Sequence, residues 1–209
     1  DVRRTRSDDS GEPTAIVIHD KNLGRLYKQY GISMKKQQNP ELKVHRMTPE
    51  MLRQDELEIP TLKQAITAAK GHPMNIELKL DDVVEVAMQT VKEYLKKDSY
   101  SLEDFVFSSK DWRILRKIKQ EDPNVEVALV YGFKNIYRRL IWHIRKLSPK
   151  WVGVNKYLAP ILLPILILLR VDKRYVYTVN HMWQVKLFSL LGANGFFTDS
   201  ISLPESVKK

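Results

Sequence analysis

The chain has 209 residues and a formal net charge of +10, from 35 Lys and Arg against 25 Asp and Glu. A hydrophobic share of 43% is enough for a packed core and excludes general disorder. With no cysteine at all, a disulfide framework, a thiolate zinc site and a cysteine nucleophile are excluded too. No stretch reaches the roughly eighteen apolar residues of a membrane span, and the length suits a single domain, 1–209.

Asp1-Val2-Arg3-Arg4-Thr5-Arg6 reads as a strand already under way, with no cap or turn before it. The protein is therefore expected to extend upstream of Asp1. The cluster Ser7–Pro13 is a turn signal, so Val2–Arg6 and Ala15–His19 should be adjacent strands or a hairpin. Residues 21–60 are polar and irregular, with Thr48-Pro49-Glu50 as a helix start. Thr61–Lys70 reads as a helix ended by Gly71. Met74–Leu80 alternates apolar and polar residues, the period of a half-buried strand.

Strand and helix patterns then alternate. Strands are expected at Phe105–Phe107, Val125–Tyr131, Trp151–Val154, Arg174–Val179 and Gly195–Thr198. Helices are expected at Val83–Lys97, Asp111–Gln120, Lys134–Leu147 and Met182–Leu191. Such alternation implies parallel strands joined by right-handed crossovers. Grouping the first two runs as one stave gives seven positions where a closed barrel needs eight, so the expected fold is an α/β, TIM-type barrel lacking its first strand and helix. A doubly wound open sheet is the rival, but no Gly-rich phosphate turn follows an early strand.

In such barrels the chemistry sits at the C-terminal ends of the strands. Asn75, Glu77 and Lys79 share one face of their strand, and Ile76, Leu78 and Leu80 share the other. A Glu and a Lys turned into a barrel are costly to bury unpaired. Asp1 and His19 reach the same interior from neighbouring strands. Carboxylates, a lysine and a histidine together suit a hard divalent cation, Mg²⁺ or Ca²⁺, with a phosphate on it. A structural ion pair is the plainer reading of Glu77 and Lys79 alone. His45, His72, His143 and His181 lie in polar, turn or helix contexts and read as structural.

The run Asp1-Val2-Arg3 … Val17-Ile18-His19-Asp20 resembles the E-x-D-V and V-x-H-D strands of the glycerophosphodiester phosphodiesterase family. The likeness continues through Ile59-Pro60-Thr61-Leu62, Asn75-Ile76-Glu77-Leu78-Lys79, Val106-Phe107-Ser108-Ser109, Val176-Tyr177-Thr178-Val179-Asn180 and Leu191–Asp199. It spans the whole chain in order. The resemblance implies a metal-dependent barrel that hydrolyses glycerophosphodiesters, or lysophospholipids, to an alcohol and glycerol 3-phosphate, or a lysophosphatidic acid. By the same carry-over Asp1 and Glu77 are metal ligands, His19 is a general acid/base, Lys79 contacts phosphate, and Tyr177 and Asn180 line the substrate site. The family's opening His-Arg strand and the Glu of E-x-D-V have no counterpart in this sequence, which puts the competence of the chain by itself in doubt. A catalytically inactive barrel that binds lipid surfaces or acts as a scaffold is the alternative.

Two segments stand outside that motif set. Lys134–Leu147 alternates apolar and basic residues at helical spacing, and Leu158–Leu169 is apolar all round and too short to span a bilayer. The first suits an ordinary barrel helix, and the second a buried segment covered by another element. Both also suit peripheral contact with an anionic membrane, which would make the protein cytoplasmic or membrane-peripheral. Pro164 argues against a regular helix in the second segment. No nucleic-acid motif accompanies the positive charge, so nucleic acid is not an expected partner.

Overall fold

The structure is a computed structural model and describes residues 1–6, 13–29, 43–48, 51, 58–97, 100–132 and 139–200. Residues 7–12 of the expected first turn, Pro49 and Glu50 of the expected helix start and residues 134–138 of the expected basic helix lie outside them. The chain forms two compact units, Asp1–Phe105 and Val106–Lys209.

In the first unit, β1 (Val2–Arg4) pairs antiparallel with β2 (Ala15–Val17), with Val2 opposite Val17 and Arg4 opposite Ala15. Ile16, Ile18, Leu23, Val44 and Met47 pack with Tyr27 of α1 (Gly24–Gln29) into one cluster. The Met51 N–H donates to Thr48 Oγ1 at 3.3 Å, the bond expected of Thr48 as an N-cap. Thr61 caps α2 (Leu62–Ala69) reciprocally: its Oγ1 accepts from the Gln64 N–H at 3.1 Å, and its own N–H donates to Gln64 Oε1 at 2.8 Å. The left-handed residue closing α2 is Lys70 (φ 50°), and Gly71 continues the turn at φ 79°.

The alternating segment gives β3 (Met74–Glu77), and the Lys79 N–H donates to the Val2 carbonyl at 3.3 Å beside a parallel bridge between Val2 and Leu78. Ile76 and Leu78 are buried, so Glu77 and Lys79 turn to the opposite face. The helix α3 (Val84–Leu95) buries Val84, Ala87, Met88, Val91 and Tyr94, the spacing of one helical face.

In the second unit, β4 (Phe105–Ser109), β5 (Glu126–Tyr131), β6 (Trp151–Asn155), β7 (Arg174–Tyr177) and β8 (Gly195–Phe196) pair in parallel in chain order. Four helices alternate with them: α4 (Trp112–Glu121), α5 (Leu140–Leu147), α6 (Ala159–Leu168) and α7 (Met182–Leu190). On one sheet face Ala128, Val130 and Trp151 cluster with Val106, Tyr175, Tyr177 and Phe197. Trp151 stacks on Tyr175 with centroids 5.2 Å apart. Glycine is required beneath these rings: a Cβ on Gly195 would lie 2.3 Å from the Tyr175 ring.

Pro164 does not break the apolar segment, contrary to the expectation, because α6 runs through it. Pro164 lacks the N–H that would bond the Pro160 carbonyl. Both prolines lie on the exposed side of the helix, while Leu162, Leu163 and Leu166 stay buried on the other. The segment is therefore half covered, with one stripe packed inward and another left exposed.

Candidate active site

The ends of β1, β2 and β3 bring Asp1, His19, Glu77 and Lys79 together. Lys79 Nζ lies 2.8 Å from Asp1 Oδ1 and 2.6 Å from Glu77 Oε1, a double ion pair with all three side chains mostly buried. The strand period places Glu77 and Lys79 on one face, and the pairing of β1 beside Leu78 delivers Asp1 to the same ammonium. His19 Nε2 is 3.7 Å from Asp1 Oδ2.

On its other side, His19 Nδ1 is 2.7 Å from Asp20 Oδ1. Asp20 Oδ2 in turn accepts from Arg25 Nε. The Arg25 hydrogen bond first, and the His19 contact second, hold the Asp20 carboxyl below the usual carboxylate range. The main chain at His19 is pinned as well: Arg3, buried at 6% exposure, donates to the His19 carbonyl from Nη2 at 3.0 Å and from Nε at 3.3 Å. The result is a continuous row of polar contacts, Arg25–Asp20–His19–Asp1–Lys79–Glu77. With Nδ1–H given to Asp20, Nε2 is the nitrogen left to exchange protons.

Asp1 and Glu77 are the carboxylates of this row that share a contact, the Lys79 ammonium. Among the described residues no group of three or more histidines and carboxylates has metal-holding geometry. A pair of carboxylates fits the mode in which a hard cation takes one or two protein carboxylates and completes its shell with water and phosphate oxygens. Among the described residues, two of the three Lys79 N–H groups are taken by the carboxylates, and the third is available to an anion.

Tyr177 and Asn180 lie in the second unit. The Tyr177 hydroxyl donates to the Tyr131 carbonyl at 2.7 Å, and Lys110 Nζ sits 5.6 Å from its ring centroid. Asn180 joins the ends of β7 and β8. Its Oδ1 accepts from the Asp199 N–H at 3.0 Å and Thr198 Oγ1 at 3.2 Å, and its Nδ2 donates to Asp199 Oδ2 at 3.2 Å. Of the histidines read as structural, His143 is buried, stacks on Trp112 and meets the Tyr131 hydroxyl through Nδ1 at 2.5 Å. Burial, then the charge of Arg139, lowers the His143 pKa against an opposing pull from Asp111.

Sequence reasoning missed Arg25 and the anchoring role of Arg3. Arg3 shares a face with Asp1 at i, i+2, a usable signal. Arg25 carries none, because it reaches back from α1 to a loop residue five positions earlier.

The model of the glycerophosphoryl diester phosphodiesterase family matches residues 1–203. No curated protein sequence matches the chain. A glycerophosphodiester phosphodiesterase from Thermotoga maritima superposes with a TM-score of 0.73 at 20% identity, over 99% of this chain and 82% of that one. A phosphodiesterase from Oleispira antarctica, solved with the product sn-glycerol-3-phosphate, gives a TM-score of 0.71 at 16% identity, over 100% and 84%. A putative glycerophosphoryl diester phosphodiesterase from Silicibacter pomeroyi gives 0.68 at 16% identity, over 89% and 75%.

Proposed function

The chain belongs to the glycerophosphoryl diester phosphodiesterase family, α/β hydrolases of the TIM-barrel type, and on that premise we propose that it cleaves glycerophosphodiesters at the row built on Lys79. The products are an alcohol and glycerol 3-phosphate. Lysophospholipids belong to the same substrate class, with a lysophosphatidic acid as product, and peripheral contact with a membrane accompanies that use. The observation that carries the reading is the convergence of Asp1 and Glu77 on one lysine, with His19 alongside.

Lys79 binds a phosphate oxygen with its remaining N–H and offsets the diester charge. His19 Nε2 takes the proton of the attacking water or glycerol hydroxyl, or gives one to the departing alkoxide as the P–O bond breaks; where the glycerol hydroxyl attacks, water then opens the cyclic phosphate to glycerol 3-phosphate. Asp20, held charged by Arg25, keeps the imidazole in the tautomer that allows this. Asp1 and Glu77 would hold a divalent cation, Mg²⁺ or Ca²⁺, which supplies Lewis-acid stabilisation of the charge growing on the phosphoryl oxygens. Tyr177 and Asn180 are read as substrate-side residues.

The test is release of glycerol 3-phosphate from glycerophosphocholine, and of lysophosphatidic acid from lysophosphatidylcholine, with and without a chelator. His19→Ala should lower kcat by about 10²- to 10⁴-fold while the fold is kept. Near-normal turnover in that variant removes His19 from the mechanism, and turnover indifferent to chelation removes the cation.

A further inference from the structure

The outer helices of the second unit are of two kinds. On α4 the buried residues are Ile114, Leu115 and Ile118, and the exposed ones are Arg113, Arg116 and Gln120, the polar outer stripe of a water-facing helix. The helices α6 and α7 depart from this. On α7, Val185 and Phe188 are buried, and Trp183, Leu187 and Leu190, at i, i+4 and i+7, are 61%, 42% and 88% exposed. On α6, Ile161 and Leu168 are likewise seven apart and are 62% and 82% exposed. The two helices are neighbours: Ile167 of α6 fills the space at Gly192, just beyond α7, where a Cβ would stand 2.5 Å from its Cδ1. Each of these two neighbouring helices therefore carries an exposed apolar stripe.

The charge excess is concentrated in the same stretch. Between Arg139 and Leu191 the sequence holds nine Lys and Arg and one acid, Asp172. Lys146 on α5 and Lys186 on α7 are exposed. A second copy docking through this face would set like charge against like. Nucleic acid would satisfy the charge but leave Leu168 and Leu190 without an apolar partner. An anionic lipid surface satisfies both, since acyl chains receive the Leu and Trp side chains and headgroups receive the lysines. No helix among the described residues is long and apolar enough to cross a membrane. A helix of ten residues such as α6 spans about 15 Å, half the hydrocarbon core, so it lies in the interface.

We infer that the face formed by α6 and α7 docks on membranes rich in anionic phospholipid, Trp183, Leu190 and Leu168 entering the lipid and Lys186 and Lys146 meeting the headgroups. This rests on the membrane part of the reading above and assigns it a surface and a lipid class.

Co-sedimentation of the full chain with phosphatidylcholine vesicles, with and without about one-third phosphatidylserine, tests it at two salt concentrations. The wild type should bind the anionic vesicles at least about tenfold more tightly, with the preference fading at high salt. Leu168→Ser/Trp183→Ser/Leu190→Ser should lose at least about tenfold on anionic vesicles, with unchanged circular dichroism and unchanged turnover of soluble glycerophosphocholine. Lys146→Glu/Lys186→Glu should lose the anionic preference and serves as the independent variant should the triple one misfold. Wild-type chain that stays in the supernatant with anionic vesicles, or undiminished binding by the variants, overturns the inference. So does a concentration-dependent dimer abolished by the triple variant, which would make the face a contact between copies. Cleavage of soluble diesters without vesicle binding would sink this surface and leave the hydrolase reading standing; binding without cleavage would support the surface and sink the hydrolase reading.

Discussion

Lys79→Met is the most informative single change, because among the described residues Lys79 is the cation that both site carboxylates contact. At 2.8 and 2.6 Å, with an effective dielectric near 20, each contact has a gross Coulomb attraction of about 6 kcal/mol. Most of that repays desolvation, and removing one partner of a buried pair costs about 3–5 kcal/mol net. The side chains of Lys79, Asp1 and Glu77 keep 14%, 20% and 18% exposure, which brings the cost below that range, to about 2–3 kcal/mol. For a chain of this size that is a fall in Tm of about 5–10 °C. Methionine keeps the length of the side chain, so the loss measures charge and not packing. The variant leaves Asp1 and Glu77 facing one another, a better cation site than the wild type, so millimolar Mg²⁺ should raise the Tm of Lys79→Met more than that of the wild type. Turnover should fall in the variant even with Mg²⁺, since the phosphate loses its ammonium donor. Thermal unfolding with and without Mg²⁺ reads both effects. A Tm matching the wild type, or an equal response of the two proteins to Mg²⁺, would refute the double ion pair as the organiser of the site.

Two further changes test other links. Asp20→Asn should lower kcat by about 10²-fold or more by releasing the His19 tautomer, and Arg25→Ala by less, as measured on a soluble diester; turnover of Asp20→Asn within about twofold of wild type would show that Asp20 does not position His19. Because the Asp20 pKa is lowered on folding, its contribution to stability is complete above the ordinary carboxylate value of about 3.9 and is lost only as the pH falls through the depressed one, so the His19–Asp20 contact should survive to pH 5. The His143 pKa is lowered too, but for a base the sign reverses: the unfolded chain binds the extra proton, so stability declines as the pH drops below about 6.5. His143→Gln should flatten that decline in thermal melts between pH 7.5 and 5, and an unchanged slope would show that His143 does not report the burial.

The core of the site was legible because strand periodicity is rigid. In Asn75-Ile76-Glu77-Leu78-Lys79 the burial of Ile76 and Leu78 forces Glu77 and Lys79 to one side, and chain order alone assigns Asp1 and His19 to neighbouring strands. The contacts between side chains of different elements were not legible. Nothing in a local pattern joins Arg25 on α1 to Asp20, because the link depends on how the loop at residues 20–23 turns the chain. The effect of Pro164 was not legible for a related reason: the proline rule counts the lost hydrogen bond but does not know that Pro160 and Pro164 fall on the exposed side of the helix. Apolar residues fill six of the nine positions of α7 without saying which of them its sheet would cover, so the exposed stripe of Trp183, Leu187 and Leu190 emerged only from the packing.

The charge balance of the row bears on what a cation would add to the proposed chemistry. With His19 neutral, the positive charges of Arg3, Arg25 and Lys79 balance the negative charges of Asp1, Asp20 and Glu77, and every one of these groups is already paired or anchored. A neutral site of this kind offers a monoanionic diester one ammonium N–H and little net attraction. Hydrolysis adds a second negative charge at phosphorus as the nucleophile closes in, and among the side chains of the row His19, on taking the nucleophile's proton, is the one that would gain positive charge with it. A divalent cation held by Asp1 and Glu77 would match the two negative charges reached at the transition state and exceed the one of the ground state. Stabilisation that grows along the reaction coordinate raises kcat rather than merely tightening binding. Chelation should therefore depress kcat more than it raises KM. An effect confined to KM would mean that Lys79 and His19 carry the chemistry and that the carboxylates serve to hold the lysine in place.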